Sequence, residues 1–168
     1  TGFVAASDPA GMSFQKMKQR AAEKVGIMYR IAALPDGVTQ EEAAAEIAAE
    51  AADESCGGIV VQLPLLHLEA QPLLDLVPAA KDPDVLGAEA YAAFLAGNGA
   101  VPPAALAVEA IAHALSLDLA PLTVAVVGQG RLIGGPVSDW LASRCAHLYR
   151  FDVGFDESLL GLADVVVL

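Results

Sequence analysis

Gly128-Gln129-Gly130-Arg131-Leu132-Ile133-Gly134 sets three glycines between an apolar run, Leu122 to Val127, and a segment suited to a helix. A glycine loop in that setting lets the backbone approach a pyrophosphate, which then rests on the helix N-terminus. The third glycine stands one residue later than in the G-x-G-x-x-G pattern, so a tight strand–helix turn without ligand is the competing reading. Asp152 falls at the end of the next predicted strand, 24 positions after Gly128. A carboxylate there can accept from the ribose hydroxyls of NAD and repel a 2′-phosphate, or serve as an ordinary turn acid.

A second group lies near the other end. Phe14 and Lys18 are four residues apart on one predicted helix and share a face. Gln62 closes the apolar run Gly57-Gly58-Ile59-Val60-Val61, before Leu63-Pro64-Leu65. An apolar run bounded by turn residues predicts a strand buried on both faces, and ligands bind at the carboxyl ends of such strands. A neutral amide there positions or tunes its neighbours. A lysine desolvated beside it can act as an acid or base.

The elements that must hold these groups alternate. Val4 to Ser7 predicts the end of a strand and Asp8-Pro9 a turn. Ala10 to Lys24 predicts a helix capped by Gly26, and Ile27 to Leu34 a strand closed by Pro35-Asp36-Gly37. Thr39 and Glu42 form a capping box for a helix reaching about Asp53, and Gly57 to Gln62 is the next strand. Helices are expected over Leu68–Val77, Ala88–Ala96, Ala104–Leu117 and Leu132–Arg144. Strands are expected over Leu122–Val127 and His147–Phe151, then a short helix over Glu157–Leu162 and a final strand. Two successive β-α-β-α-β runs imply an α/β fold of two parallel-sheet domains, 1–115 and 116–168, the second Rossmann-like and incomplete at its C-terminus.

The 168 residues are 55% hydrophobic but only 5% aromatic, so Ala, Val, Leu and Ile must build the cores. A net charge of −12 argues against nucleic acid as a partner. No apolar run reaches the roughly 18 residues of a membrane span, and nothing resembles an export signal. Cys56 and Cys145 lack metal or redox spacing and read as reduced, buried thiols, consistent with the cytoplasm. His67, His113 and His147 have no companion at ligand spacing, so no metal is implied. The opening at Thr1 and the closing strand-like Val165-Val166-Val167-Leu168 suggest a fragment of a longer enzyme, one that need not turn over by itself.

Four segments, in order, resemble the bifunctional methylenetetrahydrofolate dehydrogenase/cyclohydrolase family. They are Asp8-Pro9-Ala10 through Phe14, Lys18 and Val25-Gly26-Ile27; Val61-Gln62-Leu63-Pro64-Leu65; Lys81-Asp82-Pro83-Asp84; and Val127-Gly128 through Ile133-Gly134 and Pro136. The resemblance implies a folate cleft between two domains, with Lys18 catalytic, Gln62 hydrogen-bonding to it and Asp84 anchoring the pterin. Phe14, Val61, Leu63 and Pro64 would line the folate site. Gly128, Gln129, Gly130, Arg131, Ile133, Gly134 and Asp152 would bind NADP or NAD. It also implies tetrahydrofolate derivatives as substrates and a cytoplasmic homodimer in the full-length protein.

The chain departs from that pattern in places. Phe14 stands for the family's tyrosine and Gly11 for a serine one turn earlier. Gln129 and Gly130 stand for an arginine and a serine, which with Asp152 favours NAD over NADP. Val85 stands where glycine is usual, and Pro102-Pro103-Ala104-Ala105-Leu106-Ala107 is a degraded form of the family's segment. The alternatives are a catalytically degenerate folate- or nucleotide-binding relative, and another two-domain dehydrogenase of amino-acid or shikimate type. The last gives no reason for Gln62-Leu63-Pro64.

Overall fold

A computed structural model describes all 168 residues, Thr1–Leu168. The chain divides into two compact units, Thr1–Ala93 and Phe94–Leu168, and helix α4 (Ala88–Leu95) carries it across the division. The division precedes the expected boundary at 115/116. Helix α5 (Pro103–Ala114) packs against α6 (Gly134–Leu141) and so goes with the second unit.

In the first unit, β1 (Gly2–Ala5), α1 (Pro9–Lys24), β2 (Ile31–Leu34), α2 (Gln40–Ala52), β3 (Val60–Val61) and α3 (Ala70–Leu74) build a parallel sheet of order β2-β1-β3. The path steps from β1 to β2, then reverses over β1 to β3. Right-handed crossovers in opposite directions put α1 and α2 on opposite faces. The carboxyl ends of β1 and β3 therefore flank a topological switch point, where open α/β sheets take their ligands.

Local chemistry sets α1. The Asp8 side chain accepts from Ala10 N at 3.1 Å, and Pro9 occupies the first turn, where its missing N–H costs nothing. At the other end Gly26 takes φ +78°, Gly26 N–H reaches Glu23 O and Ile27 N–H reaches Ala22 O at 2.9 Å, a Schellman closure. Small residues let the helix lie close on β1. A Cβ on Gly11 would stand 3.0 Å from Val4 Cγ2 and 2.4 Å from Asp8 Oδ2. The serine expected of the family would thus force the Asp8 cap to move.

On the opposite face, the Thr39–Glu42 capping box is formed: Glu42 N donates to Thr39 Oγ1 at 3.2 Å and Thr39 N to Glu42 Oε2 at 2.9 Å. Ala43 and Ile47 of α2 are fully buried against Phe3, Leu34, Ile59, Val61 and Leu73.

Strands β2 and β3 are shorter than expected. The ladder of β2 opens where Ile31 faces Gly2, which leaves Ile27–Arg30 as irregular chain with Met28 fully exposed. Strand β3 pairs with β1 only through Val60 and Val61. Gln62 N still donates to Phe3 O at 2.9 Å, but Pro64, two residues on, has no N–H to continue the ladder. Helix α3 has only five residues, with Pro72 in its first turn, and α5 and α6 are each shorter than expected. Cys56 is buried; Cys145 is only half-buried, a correction to the expectation of two buried thiols.

In the second unit, β4 (Thr123–Val127), α6, β5 (His147–Phe151), a 3₁₀ turn at Glu157–Leu162 and β6 (Val165–Val167) repeat the plan, with order β5-β4-β6. Val124, Ala125 and Val126 are the buried centre of β4. No helix is long and apolar enough to cross a membrane.

Glu50, near the end of α2, ties together the entries to β1 and β2. It accepts from Thr1 Oγ1 and pairs with Arg30. Burial pushes its carboxyl up, but hydrogen bonds from Thr1, Cys56 and Arg30 outweigh burial and hold it below the usual carboxylate range. A depressed folded pKa stabilises fully above the unfolded value, about 4.3, and that gain disappears as pH falls through the folded one. Urea unfolding should therefore find Glu50→Gln less stable by about 1–2 kcal/mol at pH 6, with the gap closing below about pH 4. A gap constant from pH 6 to 3 would remove Glu50 from the acid response.

Candidate functional site

Lys18 and Asp84, 66 residues apart in sequence, meet with Nζ 3.0 Å from Oδ2. The side chains are 35% and 24% exposed, so the pair lies at a surface that a ligand can reach. Lys18 is ion-paired and partly solvated, which corrects the expectation of a desolvated lysine.

The carboxylate arrives there because Lys81 and Asp82 of Lys81-Asp82-Pro83-Asp84 fix the loop that carries it. Lys81 Nζ donates to Ala51 O at 2.8 Å and Asp53 O at 2.7 Å, closing the C-terminus of α2. Its carbonyl accepts from Ile59 N at 2.7 Å, at the entry to β3. Asp82 is buried, and its Oδ2 accepts from both Leu86 N and Gly87 N at 2.8 Å. Gly87 lies so close to α3 that a Cβ there would stand 3.0 Å from Leu74 O.

Within this clamp Val85 adopts φ +55° while 1% exposed. A left-handed conformation is costly for a β-branched residue, about 1–3 kcal/mol, and persists only when its surroundings over-determine it. This explains why a glycine is expected after Asp84. Here the Asp82 hydrogen bonds and the burial of Val85 impose the conformation instead.

Gln62 follows β3 as expected, yet it does not bond to Lys18. Its Nε2 donates to Leu63 O at 3.0 Å, and its Oε1 is buried with no partner. Swapping the amide would face two oxygens and bury an orphan N–H₂, so this orientation is the better one. An unpaired buried acceptor costs about 1–3 kcal/mol, which a donor on a ligand or a moving ammonium would recover. The side chain of Phe14 is half exposed on α1, open to stack against a flat ring. Pro64, joined to Leu63 by a cis peptide, is exposed and Leu63 half-buried. Val61 is a correction: at 3% exposed it belongs to the core and offers no side chain to a ligand.

Sequence reasoning missed Gln15 and Tyr29. Gln15 is fully buried over β1, where its Nε2 donates to Phe3 O at 3.3 Å and its Oε1 accepts from the Tyr29 hydroxyl. Gly2 makes room, since a Cβ there would overlap both side chains. Burial first, and then the charge of Asp84, push the Tyr29 phenol up to about 12, while the Gln15 hydrogen bond works the other way. Tyr29 is thus a neutral donor within the field of Asp84. The signal available was spacing: Gln15 lies four residues after Gly11, on the face that meets the sheet.

The three loop glycines divide the labour of a dinucleotide loop. Gly128 takes φ +82° at the end of β4. Gly130 is exposed with nothing near its missing Cβ. Gly134 opens α6 so close to the strand that a Cβ would stand 1.6 Å from Gly128 O. Tight turn, open approach and close helix packing are the requirements of such a loop, so the residues present fit a dinucleotide. Arg131 and Ile133 are exposed on the loop and Asp152 is exposed at the end of β5. Gln129 is a correction: its side chain turns inward, with Nε2 donating to Val126 O at 3.0 Å and Phe151 O at 3.4 Å.

Residues 1–84 match the family model described as "Tetrahydrofolate dehydrogenase/cyclohydrolase, catalytic domain". The bifunctional protein FolD of Sorangium cellulosum is 32% identical over 168 residues, 95% of this chain and 58% of that protein. The FolD of Nitratiruptor sp. is 29% identical over 158 residues, 90% of this chain and 56% of that protein. The chain thus spans just over half the length of these curated relatives. Among solved structures, the FolD methylenetetrahydrofolate dehydrogenase/cyclohydrolase of Campylobacter jejuni superposes with a TM-score of 0.92 at 26% identity, covering 98% of this chain and 60% of that one. The Trypanosoma brucei enzyme, complexed with NADP cofactor and inhibitor, gives 0.91 at 25%, covering 99% and 59%.

The loop geometry makes a direct prediction. Asp82→Ala leaves two buried N–H groups unpaired and should cost about 2–4 kcal/mol in urea unfolding, with fast amide exchange at Leu86 and Gly87. Unchanged exchange at those two amides would show that the clamp lies elsewhere.

Proposed function

The chain belongs to the tetrahydrofolate dehydrogenase/cyclohydrolase family, and we propose that its protein serves folate one-carbon metabolism by NAD(P)-dependent oxidation of 5,10-methylene-tetrahydrofolate and hydrolysis of the 5,10-methenyl product to 10-formyl-tetrahydrofolate. The observation that carries this reading is the Lys18–Asp84 pair at 3.0 Å, which joins two motif segments, with Gln62 Oε1 left without a partner and the Phe14 ring exposed one turn before Lys18 on α1. Lysine, carboxylate, amide and aromatic ring are the groups needed to bind a flat, hydrogen-bonding heterocycle and to move protons at its edge.

In this reading Phe14 stacks against the substrate and Asp84 accepts hydrogen bonds from the pterin nitrogens. Gln62 Oε1 takes a donor from the ligand or from Lys18 once the ligand draws Asp84 away. A bound nicotinamide supplies the hydride acceptor for the oxidation. In the hydrolysis, a water oxygen bonds to the one-carbon atom, Lys18 carries protons between that water and N5, and the bond from carbon to N5 breaks. Tyr29, held neutral, keeps a second negative charge away from Asp84.

The exposed Gly130 and the close-packed Gly134 support a dinucleotide on the second unit, with Gly128, Arg131 and Ile133 around it. The neighbour from Trypanosoma brucei carries NADP, and a yeast neighbour of the same fold, with a TM-score of 0.81, is described as NAD-dependent. Asp152 at the ribose position favours NAD here. So does the engagement of Arg150, the cation on β5, by Asp139 at 2.8 Å. A cytoplasmic location and a homodimer follow from the family resemblance and form part of the proposal.

Full-length protein with Lys18→Met should lose hydrolysis of methenyl-tetrahydrofolate by about 10²-fold or more, the usual scale of a proton-transfer group, while the chain stays folded. Hydrolysis at the wild-type rate would exclude Lys18 from the mechanism. Folate binding without turnover by the wild type would favour the degenerate relative, the reading that rests on Phe14 and Gly11.

A further inference from the structure

The inward side chain of Gln129 joins three elements at the mouth of the glycine loop. Its Nε2 donates to Val126 O on β4 and to Phe151 O on β5, and its Oε1 accepts from Ser138 Oγ of α6 at 3.0 Å. Ser138 is fully buried. The amide orientation is fixed by this set, since two carbonyls face the N–H₂ group and a hydroxyl faces the oxygen. Phe151 O also accepts from Gly128 N at 2.9 Å, so the carbonyl just before Asp152 is held twice from the glycine loop. Asp152 then turns the chain: its own carbonyl accepts from Phe155 N at 3.2 Å, and its Oδ1 accepts from Val153 N at 2.9 Å.

We propose that Gln129 is a positioning residue for dinucleotide specificity, which ties the Gly128 turn to the Phe151–Asp152 turn and so sets where the Asp152 carboxylate meets the ribose. Gln129 touches no part of the cofactor; it acts through Asp152. The inference rests on the reading of 128–134 as a dinucleotide loop. A side chain that reached outward from this position would address the cofactor directly. A glutamine folded inward converts the same position into a strut and leaves discrimination to Asp152.

The test is a double-mutant cycle on the full-length protein, reading the dissociation constants of NAD and NADP by calorimetry and amide exchange without cofactor. Gln129→Met keeps the length of the side chain and removes its hydrogen bonds; Ser138→Ala removes only the hydroxyl and guards against a folding failure. Gln129→Met should lower the preference for NAD by about three- to tenfold, the range of coupled neighbours, and speed exchange at Val153. Ser138→Ala should shift both readouts in the same direction by less. In an Asp152→Asn background, Gln129→Met should leave the NAD/NADP ratio where Asp152→Asn alone put it. An undiminished shift in that background would overturn the strut while keeping the dinucleotide reading. No binding of either nucleotide by the wild type would overturn both.

Discussion

The buried carboxylate of Asp82 constrains the first unit more than any other single group. It accepts two backbone N–H groups across the loop 82–87, and in doing so it holds a β-branched residue in the left-handed region and aims Asp84 at Lys18. Two buried N–H groups without an acceptor would cost about 1–3 kcal/mol each, comparable to the strain at Val85, so the clamp and the strain are balanced within one loop. Lys81 anchors the start of that loop to the end of α2, and Gly87 lets its end lie against α3. The position of the reactive pair is thus inherited from the packing of α2 and α3 on the sheet.

The other half of the pair depends on a different kind of fit. Helix α1 can bring Lys18 into place because Gly11 and Gly2 let it approach β1, with Gln15 filling the space between. A buried amide is tolerable only with its hydrogen bonds made, and Phe3 O and the Tyr29 hydroxyl supply them. Phe3 O also receives Gln62 N, so the residue opposite Lys18 in the proposed mechanism is registered by the same carbonyl that holds α1. The second unit repeats the plan with different residues: a central strand, a glycine turn at its carboxyl end, and a close-packed helix.

Much of this was legible in the sequence, and what was not has physical reasons. The capping box at Thr39 and Glu42, the Gly26 closure and strand β5 are local and formed as expected. Strands β2 and β3 are shorter than the runs Ile27–Leu34 and Gly57–Gln62 suggest, because composition reports β-propensity while strand length is set by what the partner strand offers. Lys18, Asp84, Gln62 and Phe14 were found through the motifs that carry them. The clamp residues Lys81 and Asp82 were within view, yet their tasks depend on partners 28 and 30 residues away in one direction and 4 and 5 in the other, which spacing does not reveal. Val61 and Gln129 lie inside motif segments, which is why the sequence assigns them to ligands. Alternation along β3 turns the first into the core, and a hydrogen-bonded fold-back turns the second into the scaffold.

The central claim is that Lys18, Asp84 and the unpaired oxygen of Gln62 form one folate-binding centre. A crystal structure of the full-length protein with a non-reactive tetrahydrofolate analogue measures this directly. The account predicts the pterin hydrogen-bonded to Asp84, a donor within about 3 Å of Gln62 Oε1, and the Phe14 ring stacked on the ligand. An analogue bound with Lys18 and Asp84 still paired to each other, and with Gln62 Oε1 still unpartnered, would contradict it.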